Sequence, residues 1–549
     1  MSGWAGCSAA TAVPSGPRRD VPHDDADPIN NNSLNRYSTL NNQRLLLPRG
    51  PARILSLLPA ALALAACAVG PKYHRPSVVS APVYKENQGW MPATPREIPA
   101  NQPWWSIYDD PVLNGLEQQV QVSNQTLKAS EAAYREAQAV VSEERGTLLP
   151  SIGVTGTRTQ SGDAPGVFGA ETGSNGAPIA SGSSSASSFR KLGYTRATTI
   201  SVEAQASWTL DVWGRIRRQV ESDADLAQAS AADVAAARLS AQVAVAEDYF
   251  QLRTAEQQQR IYQTYLADLE NALRITQNQV RAGITTLADM YAAQTQLENT
   301  QVEDINVELT RATYEHAIAV LIGKPPDDLS LPQGSLSTTV PVVPVGLPSD
   351  LLERRPDIAA AERNVASENA LIGVAESAWF PNLTLSASAG YAGTEYAQLF
   401  RASNALWSFG PTVAETLFNG GARLAADRAA RAAYDESVAN YRQTVLSAFQ
   451  SVENDLVTLR VLERSDGLQV TAVGAARMSE QLTLNQYTAG IVAYSSVLTA
   501  QTTRLASEIS LLAIQSQQLV ASVDLVSQVG GGWNAGQLDL ANRGVPASH

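Results

Sequence analysis

A chain of 549 residues, 44% apolar and 17% charged, carries a formal net charge of −13 and only two cysteines. That balance excludes a nucleic-acid partner, because a phosphate-binding face needs clustered Lys and Arg and no run of five basic residues occurs. No apolar run reaches eighteen residues, so no helix is expected to cross a bilayer by itself, and any membrane passage has to be built from strands.

Residues 54–66 are an apolar stretch behind Arg44, Arg49 and Arg53, the charge-then-apolar order of a bacterial signal peptide. It ends at Leu64-Ala65-Ala66-Cys67, which resembles the lipobox of bacterial lipoproteins, in which the Cys takes a diacylglyceryl thioether and an N-acyl chain. Residues 44–66 are therefore expected to be a lipoprotein signal peptide and Cys67 the acylated N-terminus, with no other cofactor and no metal. Residues 1–43, rich in Asn, Asp, Pro and Ser, are expected to be disordered and to reflect an over-extended start. Without residues 1–66 the chain keeps 34 basic and 49 acidic residues, a net −15, and a single cysteine. No intramolecular disulfide can then form, and the fold holds by packing alone. Ala68, in place of Asp, agrees with sorting to an outer membrane.

An internal repeat organises the remainder. Asn278-Gln279-Val280-Arg281-Ala282-Gly283-Ile284 returns as Asn485-Gln486-Tyr487-Thr488-Ala489-Gly490-Ile491, Ala293-Gln294-Thr295 returns as Ala500-Gln501-Thr502, and Gly214 returns as Gly421, all at an offset of 207. Residues 215–282 contain neither Gly nor Pro, and 284–322 continue that run to Gly323 and Pro325-Pro326. A helix of that first length reaches roughly 100 Å, so these segments are rods joined by turns at Gly283 and Gly490. Two adjacent apolar stripes, Leu239, Val243, Ala246 and Phe250 beside Val245, Tyr249 and Leu252, suit a helix with neighbours on both flanks.

The period changes between the rods. Ile200, Val202, Ala204, Ala206, Trp208, Leu210 and Val212 alternate with polar residues, as do Leu383, Leu385, Ala387, Ala389 and Tyr391, while Ile152–Val154 and Trp407–Phe409 begin weaker partners. Outer-membrane strands show this apolar-out, polar-in alternation with aromatics at the lipid boundary, a place for Trp208, Trp213 and Tyr391. Lipid tolerates no open sheet edge, so four strands must join strands of other copies. The Gly/Ser-rich segment 161–193 is then an outer loop.

Several segments resemble one family: Cys67-Ala-Val-Gly-Pro-Lys-Tyr-His-Arg-Pro76, Leu351-Leu-Glu-Arg-Arg-Pro-Asp-Ile358, Ile372-Gly-Val-Ala-Glu-Ser-Ala-Trp-Phe-Pro381 and the Ala-Gly turns. They look like the NodT-type outer membrane factor lipoproteins, relatives of TolC. The resemblance implies an α+β membrane protein, a homotrimer with a twelve-stranded transmembrane β-barrel and a periplasmic α-barrel of long helices. Its segments are then an acylated N-terminal part, 67–110; a first repeat, 111–325, with strands at about 151–160 and 198–212; a linker, 326–347; a second repeat, 348–529, with strands at about 382–392 and 405–417; and a tail, 530–549. The implied role is the passive outer-membrane exit duct of a tripartite efflux pump for small molecules, with a periplasmic adaptor and an inner-membrane transporter of the resistance-nodulation-division class as partners.

No enzymatic chemistry is legible. His74, His316 and His549 are far apart, and Ser188 with Lys191 forms a Ser-x-x-Lys pattern without its supporting elements. The alternatives are an exit duct for type I protein secretion or for metal ions and, in a different class, a lipid-anchored trimeric coiled-coil scaffold. Gly283, Ile284, Gly490 and Ile491 are expected to form the adaptor-docking tips. The resemblance places constriction positions at Asp289 and Tyr487, but Val492, Ser496 and Thr499 stand where relatives carry charges. A closed tip held by packing and a few hydrogen bonds is the expectation.

Overall fold

The computed structural model describes residues 68–78, 84–86, 103–162, 196–337, 340, 341, 343, 351–536 and 538. They belong to the second of two compact units, Ala61–His549; the first, Met1–Ala60, lies outside the described residues, as do Cys67 and residues 163–195 of the expected outer loop. In chain order the elements are α1 (Pro111–Ser123), α2 (Gln125–Gly146), β1 (Ser151–Gly162), β2 (Arg196–Leu210), α3 (Arg215–Arg281) and α4 (Leu287–Leu321), then α5 (Leu351–Arg354), α6 (Pro356–Ser377), β3 (Asn382–Gly393), β4 (Ala405–Ala414), α7 (Ala422–Thr488) and α8 (Tyr494–Gln528).

The two rods of each repeat have identical lengths, 67 and 35 residues. The offset of 207 holds only from Gly214 onward. Upstream, α2 and β1 return as α6 and β3 at an offset of 231, so the first copy carries 24 additional residues between β1 and α3. Strand ends also differ from expectation: β2 stops at Leu210 and β4 at Ala414. The cause at β2 is Asp211, whose carboxylate accepts from the backbone of Ile216 (3.1 Å) and Arg217 (3.0 Å) and so commits the chain to starting α3. Helix α7 runs unbroken through Gly467 and Gly474.

The four strands form one antiparallel sheet in the order β1-β2-β3-β4. Its register sorts the side chains into two faces. Ala206 pairs with Ile152 and Ala387, Ala204 with Val154 and Ala389, and Trp208 with Leu385, while Phe409 and Trp407 continue these rows on β4. The opposite face is hydroxyl-rich, with Thr157 and Ser201 hydrogen-bonded at 2.7 Å and Ser388 and Ser408 at 2.9 Å. Outward residues of the two edge strands are bare: Ile152 is 78% exposed and Trp407 81%.

The helices follow the same lateral order. Next to the sheet they lie as α2-α3-α6-α7; toward the far end they lie as α4-α3-α8-α7. Two glycines related by the offset make the exchange of partners possible. Gly323 (φ +72°) and Gly530 (φ +94°) end α4 and α8, and a Cβ on either would lie 2.1 Å from the carbonyl oxygen of Ser123 or Arg354. Only glycine permits that approach. Arg355 completes the second joint by donating to the Gln528 carbonyl oxygen (3.2 Å) and pairing with Asp357 (2.6 Å), while Pro356 begins α6.

The main core lies at this level, where Trp104, Trp105 and Tyr108 pack with Tyr249, Phe250, Tyr441 and Leu525. Part of the expected linker is stapled there: Glu256, 2% exposed, accepts from Arg253 (2.7 Å), Arg311 (3.0 Å) and the Gly334 amide (2.9 Å). The start of the expected tail is also built in, since Ala535 donates to the Glu353 carbonyl and Leu538 is buried. Helix α8 is long and apolar enough to cross a membrane by length and composition, which the run-length criterion missed, but half of its apolar window is buried against the other helices.

Glu117 on α1 is fully buried, and neither carboxylate oxygen has a hydrogen-bond partner among the described residues. Burial pushes its pKa up to about 9, so the folded chain holds a proton there that the unfolded chain releases above about pH 4. Stability is expected to fall as pH rises from about 4 toward 9, and Glu117→Gln to flatten that slope in denaturant titrations over this range.

Candidate functional site

The functional surfaces are the two ends of the rods. At the far end both hairpins close through the same backbone device. Gly283 (φ +70°) and Gly490 (φ +73°) are left-handed, Gly283 N donates to Val280 O and Ile284 N to Gln279 O, and Gly490 and Ile491 repeat this with Tyr487 and Gln486. This is a Schellman motif, whose last residue commonly packs back on its own helix. Here that helix position is Gln in both copies, and Ile284 and Ile491 stay 73% and 72% exposed. Two apolar side chains therefore project from the tips uncovered.

Beyond the glycines the turns diverge. Thr286 caps α4 and Asp289 reciprocates: its carboxylate accepts from the hydroxyls of Thr285 (2.7 Å) and Thr286 (2.8 Å) and from the Thr286 amide (3.3 Å). These donors hold its carboxyl below the usual range. The second copy has Ala493 and Ser496 at these places, and no side chain among the described residues caps α8. Tyr487 reaches across instead, donating to the Gln279 side-chain oxygen at 2.5 Å with its ring 5.6 Å from that of Tyr494. Asp289 and Tyr487 share a neighbourhood, since Asp289 acts electrostatically on the Tyr487 hydroxyl, but no bond joins them among the described residues.

Ion pairing begins farther up the shaft. Among the described residues none from Ile275 to Val302 or from Gln481 to Thr499 forms an ion pair. Arg504 on α8, about 20 Å above the second turn at 1.5 Å per residue, pairs with Glu480 of α7 (2.9 Å) and Asp268 of α3 (3.1 Å). One guanidinium thus joins three rods. Sequence reasoning missed this tie because its members are up to 236 residues apart. It missed the Thr286–Asp289 capping box as well, which the Thr-x-x-Asp spacing could have revealed.

At the sheet end, Trp208 donates its indole N–H to the Leu148 carbonyl (2.8 Å) and Trp213 to the Pro381 carbonyl (2.9 Å). Trp213 lies beyond the end of β2 and stacks on Phe380 at 4.8 Å. Tyr391, toward the opposite end of the sheet, meets Phe400 edge-on. Residues 68–78 strap this rim to the rods: Val69 N donates to Trp213 O (3.0 Å), Arg218 donates to Val69 O (3.1 Å), Tyr73 donates to Glu362, and Arg75 donates to the Tyr441 hydroxyl (3.2 Å).

A half-apolar sheet carried on an arc of very long helices defines a piece of a channel wall. The outer membrane efflux protein family model matches residues 116–324 and 347–531. The chain is 31% identical over 494 residues to the pyoverdine export outer membrane protein OpmQ of Pseudomonas aeruginosa, covering 89% of this chain and 99% of that one. It is 27% identical over 482 residues to the probable efflux pump outer membrane protein TtgC of Pseudomonas putida, covering 87% and 96%. Among solved structures, the outer-membrane channel OprN superposes with a TM-score of 0.75 at 26% identity, covering 85% of this chain and all of that one. The open state of the MtrE outer membrane channel of Neisseria gonorrhoeae superposes with a TM-score of 0.71 at 25% identity, covering 85% and 99%. The chain belongs to the outer membrane efflux protein family. It is an outer-membrane exit duct and the outer component of an efflux pump.

The unequal caps give an expected result. Thr286→Ala is expected to destabilise the start of α4 by about 1 kcal/mol, and Ala493→Asp to stabilise the start of α8 by a similar amount. Amide hydrogen exchange at residues 287–290 and 494–497 reads the two effects separately.

Proposed function

We propose that three copies of this chain close into a passive conduit, a twelve-stranded barrel in the outer membrane continued by an α-barrel in the periplasm, which carries small molecules from an adaptor and an inner-membrane transporter of the resistance-nodulation-division class to the exterior. The observation that carries this reading is that, among the described residues, every layer ends in two flanks without a neighbouring strand or helix, on the same sides. In the sheet they are β1 and β4, next to it α2 and α7, and toward the tips α4 and α7. Helices α4 and α7 expose apolar side chains, among them Ile305 (62%), Leu309 (70%) and Leu468 (75%). Such flanks fit a head-to-tail interface whose rotation closes a ring.

Lipid attachment at Cys67 is part of the proposal. It is supported by the position of Ala68, which lies so close to Gly214 at the base of β2 that a Cβ there would be 2.9 Å from its Cα. Acyl chains on the preceding residue would enter the leaflet at the rim. Ile284 and Ile491 are proposed to seat on the adaptor, and the Tyr487–Gln279 bond with the capped Asp289 to hold the resting tip. Relatives are named for toluene, pyoverdine and cation export, a spread that supports selection by the transporter more than by the duct.

Native mass measurement of the detergent-solubilised protein is expected to give three chains, and a dimer or monomer would overturn the assembly. Ile284→Asp with Ile491→Asp is expected to abolish drug resistance in a complemented deletion strain without lowering trimer yield. The lipid face has its own test. Ala204→Arg, midway along β2, is expected to cost about 2–4 kcal/mol, and Leu210→Arg, at the strand's end, about 0–1 kcal/mol, read by refolding into vesicles.

A further inference from the structure

Among the described residues the polar face of the sheet holds a single charge. Its positions on β1, β3 and β4 carry hydroxyl, amide, glycine or small apolar residues and Leu406, none of them ionisable. On β2, between Thr199, Ser201, Gln205 and Ser207, stands Glu203, the one ionisable side chain of that face among the described residues. The strand cation Arg158 has the opposite parity and lies on the apolar face. Glu203 forms no ion pair with any described residue.

Its place is central and cleared. Seven residues separate it from each end of β2, roughly 23 Å of strand either way. Its lateral partners are Thr155 and Gly390, and a Cβ on Gly390 would fall 2.2 Å from the Val202 carbonyl oxygen and 2.8 Å from the Glu203 Cγ. Glycine there leaves the carboxylate without a side chain beside it on β3. Closing the sheet by rotation repeats Glu203 once per copy at one height.

We propose that Glu203 is the charge filter of the membrane-spanning section, a ring of carboxylates midway up the hydroxyl-lined lumen that favours cationic over anionic small solutes. The proposal rests on the conduit reading above, which turns the polar face inward. The mechanism is plain Coulomb attraction in a wet pore: each carboxylate raises the local concentration of cations and lowers that of anions over about one Debye length, so its reach grows as salt is removed.

The test measures that local field inside the barrel, independently of whether the tip is open. Cys67 is the sole cysteine after residue 66 and its sulfur is acylated under the reading above, so an introduced thiol reports alone, with the unsubstituted protein as background. Gln205→Cys, two residues from Glu203 on the same face, is reacted in the vesicle-inserted protein with a cationic (ethyltrimethylammonium) and an anionic (ethylsulfonate) methanethiosulfonate. A single carboxylate about 7 Å away in screened water is expected to bias the cation-to-anion rate ratio about twofold at 0.15 M salt and about fivefold at 0.01 M. Glu203→Gln is expected to remove that factor and Glu203→Arg to invert it. A Gln205→Cys thiol that reacts readily, with a ratio untouched by Glu203→Gln at low salt, overturns the filter and leaves the conduit standing. Reaction at Ala204→Cys instead of Gln205→Cys would reverse the two faces and overturn the conduit reading together with the filter.

Discussion

The constraint on which the rest depends is that a strand in lipid has no water to satisfy its backbone. Each of the two edge strands presents a row of N–H and C=O groups, and in hydrocarbon an unpaired group costs several kcal/mol. Closure of the sheet is therefore obligatory, and it propagates. Each strand is joined to a rod by a short turn: α2 to β1, β2 to α3, α6 to β3 and β4 to α7. Strand order β1-β2-β3-β4 thereby becomes helix order α2-α3-α6-α7. The indole bonds of Trp208 and Trp213 to the carbonyls of Leu148 and Pro381 fix the rim where the two layers meet.

The rods then have to change neighbours without breaking. Helices α3 and α7 run the full 67 residues, while α2 and α6 give way to α4 and α8. At each exchange one helix stops as another starts, and the backbones nearly touch, which is why glycine stands at 323 and at 530. That level also gathers the aromatic cluster of Trp104, Trp105 and Tyr108, the buried Arg253–Glu256–Arg311 group and the clamp of Arg355. A joint with so many fixed contacts is the stiff waist from which the free hairpins extend.

Periodicity made the architecture legible. The alternation of residues 200–210 and the Gly- and Pro-free runs specify strand and rod directly, because each is a local pattern imposed by one neighbour or two. What was not legible depended on competition or on distance. Val212 continues the alternation, but Asp211 binds the first amides of α3 and ends the strand before it, which also takes Trp213 off the sheet. The resemblance singles out Asp289 as a constriction position, and the three hydrogen bonds that also make its carboxylate a helix cap were not read beside it. The Arg504 tie needs the axial registration of three helices, and no segment shorter than the whole repeat encodes that.

The two hairpins share length, turn geometry and exposed isoleucines, and they differ in how their ends are secured. The α3–α4 turn satisfies its own amides through Thr286 and Asp289. The α7–α8 turn lacks that cap and is held by Tyr487 on the other hairpin's Gln279 and by Arg504 about 20 Å higher on Asp268. The dependence runs one way, from the second hairpin to the first. Below Arg504, α8 meets the first hairpin in the small cluster of Ala293, Tyr494 and Val497, and the Tyr487–Gln279 bond joins α7 to α3 beside it. Among the described residues the lower part of the second hairpin is thus tied to the first by few polar contacts, while the waist gathers many. Asp289 carries its charge at the first turn, within a cap, whereas the ionic tie of the second hairpin to the first sits about 20 Å above its own turn.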